Sequence, residues 1–225
     1  MFSRTRLLLG DNIEKIHNSK VIVFGVGGVG GYVVEMLARS GINNITIVDY
    51  DTVDISNKNR QIIATDSSIG NTKVNVMKDR ILSFNSDCKV IAINKKLLPE
   101  NIEEFKLKEF DFVVDAIDMV TSKIALIKYA HDNDIPIISA MGVGNRLGIP
   151  SIKICDIYKT YNDGLSKVLR KKLKELDIKS HNVAFCENNT IENKSNIIGS
   201  ISYYPATMGC MISAYVIEEL LKRRK

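Results

Sequence analysis

The sequence lacks paired cysteines: the four present, at 88, 155, 186 and 210, lie far apart and form no CxxC. That spacing argues against a zinc knuckle and a small disulfide framework, and it fits reduced thiols in a cytoplasm. No export is expected either. MFSRTRLLLGDN carries basic residues, but its apolar run is three leucines followed by Gly10, Asp11 and Asn12, too short for a signal core. No run reaches membrane length either. The longest apolar stretch, Ala206 to Ile217, contains Thr, Gly, Ser and Tyr and falls short of the roughly 20 residues a span requires, so no membrane partner is expected. Nor does any repeat, linker or low-complexity block divide the chain. What is there has ordinary globular proportions, 225 residues with 45% hydrophobic and 25% charged content, enough to bury one core without metals or disulfides. The net charge of +5 is concentrated in SKVLRKKLKELDIK at 166–179 and in the terminal LLKRRK. Such runs serve as solvated helix faces or as a surface for a polyanion.

From residue 20 onward, short β-rich runs alternate with longer helical ones, the pattern of strand, crossover helix, strand. KVIVFGV at 20–26, NITIVDYD at 44–51, CKVIAIN at 88–94, FDFVVDAID at 110–118 and PIISAMG at 136–142 read as strands. Helices are expected over 29–41, 71–85 and 120–134, the second with Val74, Met77, Ile81 and Leu82 along one face. After 142 come a turn-rich connection, a basic helix over 163–177, short strands mixed with a polar loop at 187–196, and a closing helix over 205–223. The fold class expected is α/β: a Rossmann-like, doubly wound, mostly parallel sheet, with a mixed α/β C-terminal part in the same domain. Ligands are expected at the carboxyl ends of its strands.

GVGGVG at 25–30 follows a strand and opens a helix. Gly25, Gly27 and Gly30 permit a tight turn, close approach of backbone amides to phosphate, and close helix packing. Asp49 falls 19 residues after Gly30, at the next strand end, where a carboxylate accepts from ribose hydroxyls. ATP and NAD are level at this point. The following loop carries Asn57, Asn59, Arg60 and Gln61, and Lys73 stands at a helix start. A dehydrogenase has no use for such a set of cationic and amide donors, whereas a triphosphate does. Asp115 and Asp118 in DAID are read as closing another strand over the same edge, with magnesium between carboxylate and phosphate.

GVGGVG, DYDTVDISNKNRQ, IGNTK and VVDAID, in this order and spacing, resemble the adenylation domain of the ubiquitin-activating enzymes and the bacterial ThiF, MoeB and HesA proteins. The resemblance runs through residues 3–142. It implies ATP and Mg²⁺ as cofactors, with a monovalent cation as a further candidate, and attack of a carboxylate on the α-phosphate of ATP. Carried over by position, Gly28 lies in the nucleotide loop, Asp49 holds the ribose with Asp51 beside it, Asn57 and Arg60 hold phosphates, and Lys73 reaches them. Asn59 and Gln61 complete the ATP set, and Asp118 coordinates the metal. An N-terminal arginine of the family crosses to the other subunit of a homodimer; Arg6 is the match, with Arg4 the alternative. The whole of 1–225 is then one adenylation domain, with an ATP-binding part at 1–142 and substrate-side and closing elements at 143–225.

RTRLLLG, ARSGI, NRQI, DAID with Lys123, and DIYKTYNDGLSKVLRKKLKELDI are similar to the tRNA threonylcarbamoyladenosine dehydratase subfamily. The implied partner is tRNA carrying threonylcarbamoyladenosine, held in part by the basic helix and tail, with a sulfur-transfer or desulfurase partner as a further implication. The threonyl carboxylate is adenylated, and the neighbouring carbamoyl oxygen closes an oxazolone without a protein thiol. Gly148-Ile149-Pro150 and Asp163-Gly164 depart from the subfamily's Asp-Pro. Cys155 and Cys210 read as core, and Cys186 beside Glu187 as the thiol in a polar, loop-like setting. The rivals are activation of a ubiquitin-like sulfur carrier's C-terminal glycine, an NAD-dependent oxidoreductase, and a non-catalytic scaffold.

Overall fold

The computed structural model describes residues 1–192 and 197–223. Residues 193–196 of the polar loop, and Arg224 and Lys225 of the basic tail, lie outside the described residues. The strands are β1 (Lys20–Phe24), β2 (Asn44–Val48), β3 (Lys89–Ile93), β4 (Phe112–Asp115), β5 (Ile137–Ala140), β6 (Ile152–Asp156) and β7 (Asn182–Cys186). They form one seven-stranded sheet in the order β3-β2-β1-β4-β5-β7-β6. Every neighbouring pair is parallel except β6 with β7. The helices are α1 (Ser3–Leu9), α2 (Asn12–Asn18), α3 (Gly30–Ser40), α4 (Lys73–Phe84), α5 (Val120–Asp132), α6 (Gly164–Glu175) and α7 (Tyr203–Lys222). The doubly wound, mostly parallel sheet expected from the sequence is what the chain forms.

Strand alternation divides the core into two layers. Val21 and Val23 of β1 face the α2, α3, α4 and α7 side, while Ile22 and Phe24 face α5 and α6. In β4, Phe112 and Val114 take the first side and Val113 the second. Runs such as KVIVF are apolar at nearly every position because both faces are covered. The expected strands at 20–26, 44–51, 110–118 and 136–142 are each longer than those observed. Their last residues leave the sheet as loops at its carboxyl edge.

The two N-terminal helices have no counterpart in the sequence pattern, and the reason is visible in α1. It buries no residue, so its leucines carry no period. Leu7 and Leu8 are 85% and 87% exposed. Two expectations about thiols are corrected. Cys186 is the last residue of β7 and fully buried, covered by antiparallel β6, whereas Cys210 on α7 is exposed.

The final helix completes the first part of the fold. α7 lies along α3, and Gly209 makes this contact close: a Cβ there would fall 2.6 Å from Tyr32 Cβ and 2.7 Å from the Val29 carbonyl oxygen. Pro205, one helical turn earlier, stands against Gly28, whose own Cβ would be 3.2 Å from it. Gly209→Ala should therefore lower the free energy of unfolding by about 1–3 kcal/mol through overpacking. Denaturant titration should show a lower midpoint with an unchanged slope; an unchanged midpoint would mean that the helices separate freely.

Candidate active site

At the carboxyl edge, the order β2-β1-β4 places the turn after β1 between the loops after β2 and β4, the switch point at which doubly wound sheets hold ligands. Gly25 turns the chain there. Its φ is +87°, and a Cβ would lie 2.5 Å from the Ala116 carbonyl oxygen beyond β4. Gly30 is required by packing alone, since its Cβ would fall 1.8 Å from the Gly25 carbonyl oxygen. Gly27 differs. The nearest heavy atom to a Cβ there is Gln61 Nε2 at 3.9 Å, so protein packing does not demand a glycine. The absent side chain leaves room for a ligand to reach the backbone before α3, whose N-terminus favours an anion.

A cavity of about 430 Å³ opens over this turn, a size usual for cofactor sites. Gly25, Gly27 and Gly28 line it, together with Asp49, Asp51, Asn57, Arg60, Gln61, Lys73 and Asp118. Ten of the residues expected from the sequence thus converge. Gly30 lies behind the turn, and Asn59 and Arg6 are not in the lining. Arg6 sits on exposed α1, paired with Glu14 at 2.8 Å.

Hydrogen bonds show why these side chains face inward. Asp49 Oδ2 accepts from the Val26 amide at 2.7 Å, and Oδ1 from the Asp51 amide at 2.9 Å, so one carboxylate joins the β1 turn to the β2 loop. The chain at Thr52 bridges to Thr72, and the Lys73 amide donates to the Asp51 carbonyl at 3.0 Å. This carries Lys73, 6% exposed, into the wall, where its Nζ meets Asp51 Oδ2 at 2.7 Å. Buried Asn57 accepts from the Asp54 amide through Oδ1 at 3.1 Å, which fixes its side chain. Gln61 Oε1 is buried without a hydrogen-bond partner among the described residues, an acceptor suited to a donor on a bound molecule.

Carboxylates gather around Tyr50, which also lines the cavity. The Tyr50 hydroxyl is pushed above its ordinary pKa first by Asp51, then by burial, then by Asp118 and Asp49. Exposed Asp118 suits a divalent ion that takes its remaining ligands from phosphate and water. Among the described residues, no three His, Cys, Asp or Glu side chains form a closed metal cage.

Asp115 is corrected. It belongs to the face of β4 that looks toward α5, and it is fully buried against Lys123, equally buried, at 2.8 Å. Lys123 also donates to the Ala140 carbonyl at 3.1 Å, and Asp115 Oδ1 accepts from the Ile117 amide at 3.1 Å. The pair therefore joins the ends of β4 and β5 and shapes the turn that presents Asp118. The sequence reading missed Lys95, Lys96 and Leu97, which line the cavity beyond β3, with Lys96 Nζ 4.9 Å from the Tyr50 ring. Their position after a strand that itself ends at the carboxyl edge was the available signal.

The thiols stand apart from this chemistry. Burial pushes Cys88 up to about 11 and raises Cys155 and Cys210 above their ordinary values, so none of these three has the low pKa of a nucleophilic thiolate.

A cavity above a glycine turn at such a switch point is the architecture of nucleotide-binding α/β proteins. Within that class the chain belongs to the ThiF family, whose pattern matches residues 3–225. It is 38% identical to the tRNA threonylcarbamoyladenosine dehydratase of Bacillus subtilis (strain 168) over 240 aligned positions, covering 98% of this chain and 94% of that one. The crystal structure of E. coli tRNA N6-threonylcarbamoyladenosine dehydratase in complex with ATP matches with a TM-score of 0.92 at 30% identity, covering 98% of this chain and 93% of that one. A molybdopterin-synthase adenylyltransferase of Haemophilus influenzae is 31% identical over 72% of this chain and 66% of its own length.

Removing one partner of the Asp115–Lys123 pair leaves an uncompensated buried charge. Lys123→Met should cost about 3–5 kcal/mol of stability, and Asp115→Asn combined with it should recover part of that loss. Chemical denaturation of both variants measures this; a cost below about 1 kcal/mol for Lys123→Met would show that the pair does not organise the strand ends.

Proposed function

We propose that this chain is an ATP-dependent tRNA threonylcarbamoyladenosine dehydratase. The observation that carries the ATP half of this reading is the meeting of Arg60 and Lys73 with the Gly27 opening in one cavity. Several cationic donors around a helix N-terminus suit a triphosphate better than the two linked phosphates of NAD. The carboxylate half rests on likeness that extends along the whole chain to proteins of that name.

ATP lies with its ribose toward Asp49 and its phosphates over Gly27 and Gly28, where Asn57, Arg60 and Lys73 donate. The threonyl carboxylate of the modified adenosine attacks the α-phosphorus. The bond from that phosphorus to the bridging oxygen breaks, and pyrophosphate leaves with the electron pair. The carbamoyl oxygen then attacks the acyl carbon, the acyl–oxygen bond to AMP breaks, and a proton is lost from the carbamoyl nitrogen. The nucleoside is left one water lighter. Asp118 would hold Mg²⁺, which when bound neutralises charge on the phosphates. Arg60 and Lys73 stabilise the charge that grows on pyrophosphate as it leaves.

The basic helix supports a tRNA substrate. Leu165, in the first turn of α6, lines the cavity, while Lys167, Lys171, Lys172 and Lys174 on the same helix are exposed. A polyanion lying along α6 would thus end at the reacting site. Residues 1–142 hold the nucleotide in this reading, and 143–225 supply the substrate side. Arg6 of a second copy is assigned to the triphosphate. A sulfur carrier's C-terminal glycine is the rival carboxylate.

The test combines the chain with ATP, Mg²⁺ and tRNA bearing threonylcarbamoyladenosine, in parallel K⁺ and Na⁺ buffers. Pyrophosphate should appear only with all three present, and nucleoside mass spectrometry should show the loss of one water. No loss of water sinks the dehydratase reading. Arg60→Ala, Lys73→Ala and Asp118→Ala should each reduce turnover about a hundredfold or more, with melting temperature maintained. Mixing inactive Arg6→Ala with inactive Lys73→Ala should restore turnover through hybrid dimers, and failure to do so would refute the role of Arg6 across subunits.

A further inference from the structure

Residues 197–202 form a strap that approaches the cavity before α7 begins, and two asparagines anchor it among the described residues. On the β5 side, Asn145 donates its backbone N–H to the Gly199 carbonyl at 2.8 Å, and its Oδ1 accepts from the Gly199 amide at 2.6 Å. Asn145 does this with φ at +53°, a left-handed conformation that asparagine tolerates better than most residues. The strap is also pressed against Gly144, where a Cβ would stand 2.2 Å from Ile198 Cγ2. On the β2 side, Asn59 Nδ2 donates to the Ser200 carbonyl at 3.0 Å, and Ser200 itself lines the cavity.

The other end of the Asn59 amide is occupied as well. Arg60 Nη1 donates to Asn59 Oδ1 at 3.0 Å and to the Ser56 carbonyl at 2.8 Å. Both protons of that nitrogen are thereby used within the loop. Arg60 Nε and Nη2 have no acceptor among the described residues and remain for a ligand in the cavity that Arg60 lines. Asn59 is exposed, so its bonds exchange with water and add little to stability. What they set is geometry: one planar amide spans from the phosphate-side guanidinium to the strap.

We propose that Asn59 is a positioning residue that couples ATP to the strap, its Oδ1 orienting Arg60 and its Nδ2 holding Ser200. The proposal rests on the ATP reading of the cavity. ATP seated on Nε and Nη2 immobilises the guanidinium, the guanidinium fixes the amide plane, and the amide fixes residues 197–202 beside the reacting carboxylate. Without ATP the bonds from Arg60 to Asn59 and from Asn59 to Ser200 are present but open readily to water, and the strap depends more on Asn145 and on its contact at Gly144. ATP thus tightens contacts that the chain already makes.

Hydrogen exchange read by mass spectrometry on the peptide spanning 197–205, with and without ATP and Mg²⁺, tests this. In the unsubstituted chain, ATP should slow exchange of this peptide by about tenfold, the worth of one net hydrogen bond. Asn59→Ala, which removes both contacts, and Asn59→Asp, which keeps the acceptor and loses the donor, should each abolish the ATP-dependent slowing. Exchange without ATP, and the melting temperature, should be nearly unchanged in both. The KM for ATP should rise in Asn59→Ala and less in Asn59→Asp, since only the former releases Arg60. Slowing by ATP that persists in either variant overturns the coupling. So does a peptide that exchanges faster by the same factor with and without ATP, since Asn59 would then be only a structural anchor. Calorimetry on the unsubstituted chain separates the two claims: ATP binding without slowing overturns the coupling alone, whereas no ATP binding overturns the reading of the cavity and the coupling with it.

Discussion

The buried pair of Asp115 and Lys123 sets the spacing on which the rest of the site depends. Two opposite charges with no access to water hold together only when each is satisfied in detail. Lys123 meets that condition by joining the carboxylate on β4 to a carbonyl at the end of β5, and Asp115 meets it by accepting from the turn beyond β4. The floor of the cavity is therefore fixed electrostatically from below. Its upper wall is fixed differently, by the exclusion of any Cβ at Gly25 and Gly30 and by the two bonds of Asp49. Rigid elements beneath and short loops above give phosphate donors that need little reorganisation when a ligand arrives.

The chemistry assigned to these groups needs no thiol, and the thiols are placed accordingly. Three are held above their ordinary pKa, and Cys186 is enclosed at the end of β7. In the proposed reaction an intramolecular nucleophile, the carbamoyl oxygen, takes the place of a protein thiol. In that reading the protein's task is to keep the reacting carboxylate near the α-phosphorus and water away from the adenylate.

The glycine turn, the parallel sheet and the cationic loop were legible in the sequence because each answers to a local constraint: a required φ, a run apolar on both faces, a cluster of donors at fixed spacing. Features that depend on which way a side chain leaves its element were not. Asp115 and Asp118 are three residues apart and were read as one pair, yet the first still belongs to the strand and faces α5, while the second has already turned toward the cavity. Cys210 looked buried because α7 is apolar around most of its circumference, and a pattern without a polar stripe does not say which side is solvent. Cys186 looked exposed because polar residues follow it, but β6 pairs back over β7 from an earlier position in the chain. Asn59 was grouped with the phosphate ligands on spacing, and only its contact with Ser200, 141 positions away, shows the other direction in which its amide is used.

The contact of α7 with α3 has a temporal consequence. Pro205 and Gly209 pack against Gly28, Val29 and Tyr32, so the turn after β1 is enclosed by a helix synthesised long after it. During translation, β1 and α3 emerge long before their partner, and until α7 leaves the ribosome the phosphate turn lacks one of its supports. Full support of the turn is in this sense an event that comes well after the turn itself is made.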